Sequence, residues 1–137
     1  MTAMLRGSCL CGGIRYEVAA PLTEIGQCHC RQCRKANGTA FATNAPVPAA
    51  AFRLLDGEEL LNHYQSSPQK QRAFCSRCGS PIYSRTTARP GVLRLRIGLL
   101  DTAVARRPDY HFHVASKAEW EEIRDGLPQY PLEAPSR

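Results

Sequence analysis

The chain has 137 residues, a formal net charge of +6 and seven cysteines. This length suffices for one domain with one core, and no apolar stretch approaches the ~20 residues that a membrane span requires. Residues 1–6 also lack the apolar run of a signal peptide, so we expect a single cytoplasmic domain over residues 1–137. In a reducing compartment, clustered cysteines are ligands or catalysts more often than disulfides.

The first third of the chain predicts short strands interrupted by cysteine motifs. Apolar and polar residues alternate over 14–18, which is the period of a half-buried strand. A second short strand is predicted over 22–27, where it leads the chain to Cys28. A single helical turn is expected at 34–37, ending at an Asn-Gly turn signal, and residues 39–43 are expected to be extended.

Turn signals organise the middle of the chain. Residues 45–51 contain two prolines and predict a surface connector. Two strand candidates, 52–55 and 60–64, are separated by Asp56-Gly57, so they predict a β-hairpin. Residues 80–85 and 92–97 alternate in the same way around Arg89-Pro90-Gly91 and predict a second pair of strands.

The C-terminal part predicts one strand, one helix and an irregular tail. The strand is expected at 111–115. Ser116 and Glu119 have the spacing of a capping box for a helix over 117–124, with Trp120 and Ile123 on its apolar face. Residues 127–137 contain three prolines and are expected to be irregular. Together these patterns predict a mainly β fold of antiparallel sheets with one short C-terminal helix.

The seven cysteines fall into three motifs with metal-ligand spacing. The motifs are Cys9-Leu10-Cys11, Cys28-His29-Cys30-Arg31-Gln32-Cys33 and Cys75-Ser76-Arg77-Cys78. Structural zinc is held by four ligands, whereas catalytic zinc keeps an open position. Seven thiols therefore predict two Zn²⁺ ions per chain, one in a closed four-cysteine site and one in an open three-cysteine site. Two structural zinc sites, with a histidine completing the second, are the alternative.

The positive charge is weaker evidence for nucleic-acid binding than its size suggests. If seven thiolates bind two zinc ions, the net charge falls to about +3, because metal ligation requires deprotonated sulfur. Basic residues flank two of the cysteine motifs, and they suit either a small anionic ligand or ordinary solvation. They are Arg31, Arg34 and Lys35 at the three-cysteine motif, and Arg72, Arg77 and Arg85 at the last motif.

Several other polar residues have both a functional and a structural interpretation. An extended backbone would point His29 away from a metal that its neighbours bind. His111 and His113 lie two apart on one predicted strand face, where they could touch a metal or substrate, or simply face solvent. His63 is expected to be structural. Asp101 and Asp109 follow turns and suit loop interactions better than catalysis.

The cysteine motifs also carry a family resemblance. Segments 7–16, 28–35 and 72–80 resemble the glutathione-dependent formaldehyde-activating enzyme and centromere protein V family, and so do residues 111–112 and 116–120. The resemblance implies an Mss4-like fold, a β-tent of antiparallel sheets with zinc knuckles. It also implies a structural zinc held by Cys9, Cys11, Cys75 and Cys78, and a catalytic zinc held by Cys28, Cys30 and Cys33.

The implied activity is that of a carbon–sulfur lyase similar to S-hydroxymethylglutathione synthase. A thiol such as glutathione would occupy the open zinc position, lose its proton and add to formaldehyde, or the reverse reaction would run. Zinc with three thiolates is a weak Lewis acid, which favours thiol capture over water activation, and Arg31 or Arg34 is expected to offset its charge. The alternative is a non-enzymatic zinc-binding module for nucleic acid or a protein partner, but an open position favours the enzyme.

Overall fold

The computed structural model describes residues 4–135, which form ten β-strands and one short α-helix. The strands are β1 (Leu5–Ser8), β2 (Arg15–Val18), β3 (Gly26–Cys28), β4 (Ala42–Pro48), β5 (Phe52–Asp56), β6 (Leu61–Ser67), β7 (Lys70–Cys75), β8 (Pro81–Thr86), β9 (Val92–Arg96) and β10 (Tyr110–Phe112), and the helix is α1 (Arg31–Asn37). The predicted mainly β fold is confirmed. Residues 1–3 and 136–137 lie outside the described residues. Parts of the predictions for residues 1–6 and for the tail at 127–137 therefore fall on residues that the structure does not describe.

The strands form two sheets. β1, β2 and β5 make a three-stranded antiparallel sheet in the order β1-β2-β5. The other seven strands make one sheet in the order β10-β3-β4-β9-β8-β7-β6. All neighbours in this larger sheet are antiparallel except β10 and β3, which run parallel, so the sheet is mixed rather than purely antiparallel.

The main core lies where the two sheets face each other. Tyr16 and Val18 on β2 are fully buried, as the alternation over 14–18 predicted. Phe52 joins the sheets, because its ring stacks on Tyr16 at a centroid distance of 5.0 Å and meets Tyr83 of β8 edge-on at 5.4 Å. Burying a large side chain of this kind contributes about 1.5–3 kcal/mol, so the sheets are held together mainly by apolar contact.

The predicted connector at 45–51 is wrong, because β4 runs through most of it. Ala45 and Val47 are buried, and the strand pairs with β9 as far as Pro48. Proline is tolerated here because β3 covers only residues 42–44, which leaves Pro46 and Pro48 with a partner strand on one side only. A 3₁₀ turn at Ala49–Ala51 then leads to β5.

The predicted hairpin of residues 52–55 and 60–64 is also wrong. Both strands exist, but β5 pairs with β2 in the small sheet, whereas β6 pairs with β7 in the large one. Gly57 turns the chain between them with φ of 90°, and a Cβ there would lie 2.4 Å from the carbonyl oxygen of Gly13. The turn therefore packs against the first cysteine loop and directs the two strands into different sheets.

The helix predicted over 117–124 does not form. Within the described residues the α-helix is α1, which extends the single turn predicted at 34–37 back into the cysteine motif. Trp120 is 71% exposed, so the proposed apolar face has nothing to pack against. Instead a 3₁₀ turn at Val114–Ser116 is followed by an irregular segment, and Asp125 is bonded to buried His111.

The other strand predictions hold in part. β8 and β9 pair as the second predicted pair of strands. Of the strand predicted at 22–27 only residues 26–27 belong to a strand, β3, and the segment expected to be extended at 39–43 begins with a bend and is a strand only from Ala42. The strand predicted at 111–115 shortens to β10. Residues 127–135 are irregular apart from one bridge between Gln129 and His111. Among the described residues, no helix has the length and apolar character needed to cross a membrane.

Candidate metal centres

The first cysteine cluster joins two loops that are far apart in sequence. Cys9 and Cys11 lie in the loop between β1 and β2, while Cys75 ends β7 and Cys78 lies in the following turn. The four sulfur atoms all lie within 4.8 Å of one another. The Sγ atoms of Cys9 and Cys11 are 3.5 Å apart, and those of Cys11 and Cys75 are 3.8 Å apart. A tetrahedron with metal–sulfur bonds of about 2.3 Å has an edge of about 3.8 Å, so this cluster could hold a metal ion.

Two tight turns bring the four sulfur atoms of this cluster close together. Gly12 and Gly79 have positive φ values of 76° and 79°, which glycine adopts without steric cost. Each closes its loop with a backbone hydrogen bond, from Gly12 N to Cys9 O and from Gly79 N to Cys75 O. The Ser80 hydroxyl then links the two loops by accepting a hydrogen bond of 2.9 Å from the backbone N–H of Leu10.

The second cluster comes from one continuous segment. Cys28 ends β3, Cys30 is the N-cap of α1 and Cys33 lies in its first turn. The backbone N–H of Cys33 donates a hydrogen bond of 3.3 Å to Cys30 Sγ, which fixes the start of the helix. The three sulfurs lie within 4.8 Å of one another, and Cys28 and Cys33 are buried. This cluster could also hold a metal ion, with three sulfur ligands.

Buried cations surround the second cluster, and they are not the ones that the sequence favoured. Arg72 is only 8% exposed, and both its Nη atoms lie 3.8 Å from Cys33 Sγ. Arg96 is 4% exposed, and burial lowers its pKa to about 10 while the charge of Cys33 opposes that change. Burial lowers the pKa of Lys70 as well, again opposed by Cys33. All three residues come from β7 and β9.

Arg31 and Arg34, expected to offset the charge of this cluster, point elsewhere. They line a separate surface cleft together with Lys35 and exposed Trp120. The Arg34 guanidinium donates a hydrogen bond of 3.0 Å to the carbonyl of Ser116. Arg72, identified in the sequence only as a neighbour of the last motif, in fact reaches the three-cysteine cluster. Strand alternation places its side chain on the face opposite to that of its sequence neighbours.

A small cavity opens beside the second cluster. Its volume is about 190 Å³, and the three cysteines form part of its wall. Lys70, Arg94 and Glu133 supply charged groups, and Phe112 supplies an apolar surface. Asn44 is 2% exposed and lines the same cavity, but its Oδ1 atom has no hydrogen-bond partner within residues 4–135. A buried amide oxygen without a partner is costly, so this position suits a hydrogen-bond donor from a ligand.

The histidines form structural contacts and do not complete either cluster within the described residues. His29 Nε2 lies 2.8 Å from His111 Nδ1, and His111 Nε2 lies 2.8 Å from Asp125 Oδ2. Burial, together with the nearby charge of His111, lowers the pKa of His29 to about 4, so its ring is neutral at pH 7. The hydrogen bond from His111 in turn lowers the pKa of Asp125.

The prediction that His111 and His113 share one strand face is wrong. His113 follows the end of β10 and has φ of 55°, so its side chain leaves the direction of the strand. It lines the cavity and contacts Glu133 at 3.0 Å, whereas His111 points to His29. Of the two, only His113 faces the three-cysteine cluster.

The other polar candidates stabilise loops, in agreement with their structural interpretation. His63 Nε2 lies 3.0 Å from the Tyr83 hydroxyl. Asp101 accepts a hydrogen bond of 2.7 Å from Ser8 Oγ. Asp109 accepts one of 2.8 Å from the backbone N–H of Ile25.

Comparisons with known proteins agree with this arrangement. Residues 4–116 match the family described as glutathione-dependent formaldehyde-activating enzyme. A Halomonas elongata protein, whose provisional name is glutathione-dependent formaldehyde-activating enzyme, is 30% identical over 128 residues, covering 88% of this chain and 81% of its own length. An uncharacterised lyase of Schizosaccharomyces pombe is 27% identical over 77 residues, covering 56% of this chain and 54% of that protein.

A solved structure supports the fold independently. The crystal structure of a Rhodobacter sphaeroides protein superimposes with a TM-score of 0.62 at 24% identity. The matched region covers 74% of this chain and 92% of the Rhodobacter chain. Because the sequence identity is only 24%, the similarity is evidence for the fold alone. The family match includes all seven cysteines, since Cys9 to Cys78 lie within residues 4–116. This chain therefore belongs to the glutathione-dependent formaldehyde-activating enzyme family.

Proposed function

We propose that this protein is a zinc-dependent enzyme that forms or cleaves a carbon–sulfur bond between a thiol and a small carbonyl compound such as formaldehyde. It would act as one cytoplasmic domain over residues 1–137 with two zinc ions per chain. In this proposal Cys9, Cys11, Cys75 and Cys78 hold a structural zinc, and Cys28, Cys30 and Cys33 hold a catalytic one. The observation that carries it is a cluster of three sulfurs that forms the wall of a cavity.

The donor sets fit zinc. All ligand atoms in both clusters are cysteine sulfurs, and soft thiolates favour zinc over hard cations such as Mg²⁺. The four-cysteine cluster leaves no ligand position for a substrate. The three-cysteine cluster leaves one, because zinc in a site of this kind is four-coordinate. We therefore assign the chemistry to Cys28, Cys30 and Cys33.

The reaction involves no oxidation or reduction. Zinc held by Cys28, Cys30 and Cys33 would supply a position at which the sulfur of an incoming thiol loses its proton. A bond forms between this sulfur and the carbonyl carbon, and the proton lost by the thiol ends on the carbonyl oxygen, which gives a hydroxymethyl thioether. The reverse reaction breaks the same bond and returns thiol and aldehyde.

Two residues of the cavity and the neighbouring Arg72 favour this chemistry. Arg72 places positive charge 3.8 Å from Cys33 Sγ and thereby stabilises a cluster that is rich in thiolates. Phe112 supplies an apolar part of the wall, which would limit the access of water to the sulfurs. Asn44 Oδ1 would accept a hydrogen bond from the hydroxyl of the hydroxymethyl product, which is the kind of donor that this buried oxygen lacks.

Exchange spectroscopy tests the proposal directly. Formaldehyde labelled with carbon-13 adds slowly to glutathione or 2-mercaptoethanol in buffer, and NMR measures the exchange between free and thiol-bound carbon. We expect the zinc-loaded protein to accelerate this exchange for at least one of the thiols. The Cys33→Ala variant should stay folded by circular dichroism but lose the acceleration. If the wild-type protein accelerates exchange neither with these two thiols nor with a short carboxylate-bearing thiol such as mercaptoacetate, the enzyme assignment fails and the zinc-binding module remains.

A further inference from the structure

The cavity beside the three-cysteine cluster is small for the site of a large substrate. Its volume of about 190 Å³ is below the range of roughly 300–1,000 Å³ that is usual for drug-sized ligands. The cysteines already occupy one wall, so the sulfur of a bound thiol would use part of this space. A short thiol fits within the cavity, whereas most of a peptide such as glutathione would have to lie outside.

Lys70 is a partly buried cation inside this cavity. Its Nζ atom makes no hydrogen bond or ion pair with any group in residues 4–135. Removal of a charge from water is unfavourable unless an opposite charge compensates it. Burial lowers the pKa of Lys70, and the negative charges of Cys33 and Cys28 oppose this change only in part. A cation in this situation attracts an anionic group of a ligand.

The positive charges around the cluster exceed the negative charges of the metal site, so an anionic group of a ligand could balance them. Zinc with three thiolates carries one net negative charge, and a bound substrate thiolate adds a second. Lys70 in the cavity, Arg72 at 3.8 Å from Cys33 Sγ and buried Arg96 contribute three positive charges near the cluster. Arg94 and Glu133 also line the cavity, but their charges are opposite and cancel in this count. One positive charge is therefore not neutralised by the metal site and a simple thiolate.

We propose that this site selects short thiols that carry a carboxylate near the sulfur, and that Lys70 binds the carboxylate. The inference rests on the proposed function, since it assumes that a thiol occupies the open metal position. Mercaptoacetate is the simplest member of this class. Its thiolate and carboxylate together neutralise the charges of the cavity, and its size suits the volume.

Cobalt-substituted protein allows binding to be measured without turnover. The sulfur-to-cobalt charge-transfer band should gain intensity as a fourth thiolate joins the three cysteines. We expect mercaptoacetate to bind about tenfold or more tightly than neutral 2-mercaptoethanol, because an ammonium–carboxylate contact in a partly buried site is charge-assisted. Mercaptoacetate should also bind more tightly than glutathione, whose carboxylates are separated from its sulfur by peptide bonds.

Three lysine variants test whether Lys70 causes this preference. Lys70→Gln should reduce the affinity ratio of mercaptoacetate to 2-mercaptoethanol to about one, because this ratio cancels any loss of affinity that the two thiolates share. Lys35→Gln makes the same chemical change on an exposed face of α1 and should keep the wild-type ratio. Lys70→Arg, which preserves the charge, should keep most of the preference.

The outcomes separate this inference from the proposed function. Equal affinities of the wild-type protein for mercaptoacetate and 2-mercaptoethanol would overturn the inference, and this comparison requires no variant. A preference that survives Lys70→Gln would overturn the role of Lys70. If no thiol changes the cobalt spectrum at millimolar concentration, the open thiol position itself is wrong, and the proposed function fails together with the inference.

Discussion

The two cysteine clusters of this protein are built in opposite ways. The four-cysteine cluster joins the loop after β1, in the small sheet, to the turn after β7, in the large sheet. The three-cysteine cluster comes from a single stretch of six residues between β3 and the first turn of α1. A metal ion in the first cluster would therefore crosslink parts of the chain that are remote in sequence, whereas one in the second would organise only its own segment.

Their surroundings differ as much as their connectivity. Sulfurs of the four-cysteine cluster receive local contacts, such as the hydrogen bond from Ile14 N to Cys9 Sγ and the approach of Ser80 Oγ to Cys78 Sγ at 3.3 Å. Burial would raise the pKa of Cys78, but hydrogen bonds with Ser80 outweigh it and lower the pKa to about 5. The three-cysteine cluster instead borders a cavity and faces Arg72 and Lys70. Charge and open space, more than the number of thiols, distinguish the two.

The largest effect is expected at the crosslinking cluster. Cys75 is completely buried, and Cys75→Ala should prevent folding. Structural zinc contributes about 10–16 kcal/mol in zinc-finger peptides, which is comparable to the entire stability of a domain of about 5–15 kcal/mol. We expect the variant to be insoluble, or to lack near-ultraviolet circular dichroism and a cooperative thermal transition.

Cys30→Ala is the matched control in the other cluster. It removes the same thiol from a half-exposed position at the start of α1, where the metal closes only a short loop. The variant should fold and melt cooperatively, with zinc content by mass spectrometry falling from two ions per chain to one. If Cys30→Ala collapses as completely as Cys75→Ala, the proposed division into structural and catalytic sites is wrong.

The local parts of this comparison were predictable from the sequence. Cysteine spacing identified the three metal-binding motifs, since ligands two or three residues apart need only a tight turn to converge, and the family resemblance implied which motifs share a cluster. Alternation identified β2 and β9, whose buried and less buried residues alternate, and it also located β8, although Ile82, Tyr83 and Ser84 are buried in succession there. These features depend on neighbouring residues, so a single sequence contains the information.

The long-range parts were not predictable in the same way. Asp56-Gly57 is a hairpin signal, but β5 and β6 find partners in different sheets because the turn packs against Gly13. The cations of the three-cysteine cluster come from β7 and β9, and only the sheet order brings them near Cys33. Periodicity indicates which face of a strand is buried, but not which residues of other strands contact that face.

Residues 117–124 show that tertiary structure can override a local helix signal. Ser116 and Glu119 have capping-box spacing, yet residues 117–124 are not helical. A short helix gains most of its stability from packing its apolar face, and here Trp120 remains exposed. The bond between Asp125 and His111 holds the following chain against β10 instead.

The second prediction concerns the charge beside the open cluster. Arg72→Met keeps an unbranched side chain but removes the guanidinium 3.8 Å from Cys33 Sγ. Groups that contact metal ligands typically change metal affinity about 10–100-fold, so we expect a loss of this size at the three-cysteine site. Competition with a chromogenic chelator should resolve the two sites, with the four-cysteine site unchanged.

Arg77→Met is the corresponding change at the four-cysteine cluster. Arg77 lies between Cys75 and Cys78 but is exposed, so solvent screens its charge. We expect less than about a twofold change in metal affinity at either site. Equal losses in Arg72→Met and Arg77→Met would mean that general positive charge, and not the buried contact with Cys33, stabilises the open cluster.

The smallest effect is expected for the arginine that the sequence favoured. Arg31 lies within the three-cysteine motif, yet its side chain is exposed and lines the cleft with Lys35 and Trp120, outside the cavity. Its charge is therefore screened over a Debye length of about 8 Å at physiological ionic strength. Arg31→Gln should change the affinity of the cobalt protein for mercaptoacetate less than about twofold, whereas Lys70→Gln removes the preference for it. If Arg31→Gln reduces the affinity for mercaptoacetate as much as Lys70→Gln does, the thiol interacts with a cation that is near the cysteines in sequence. Position in the cavity would then not determine which cation binds the carboxylate.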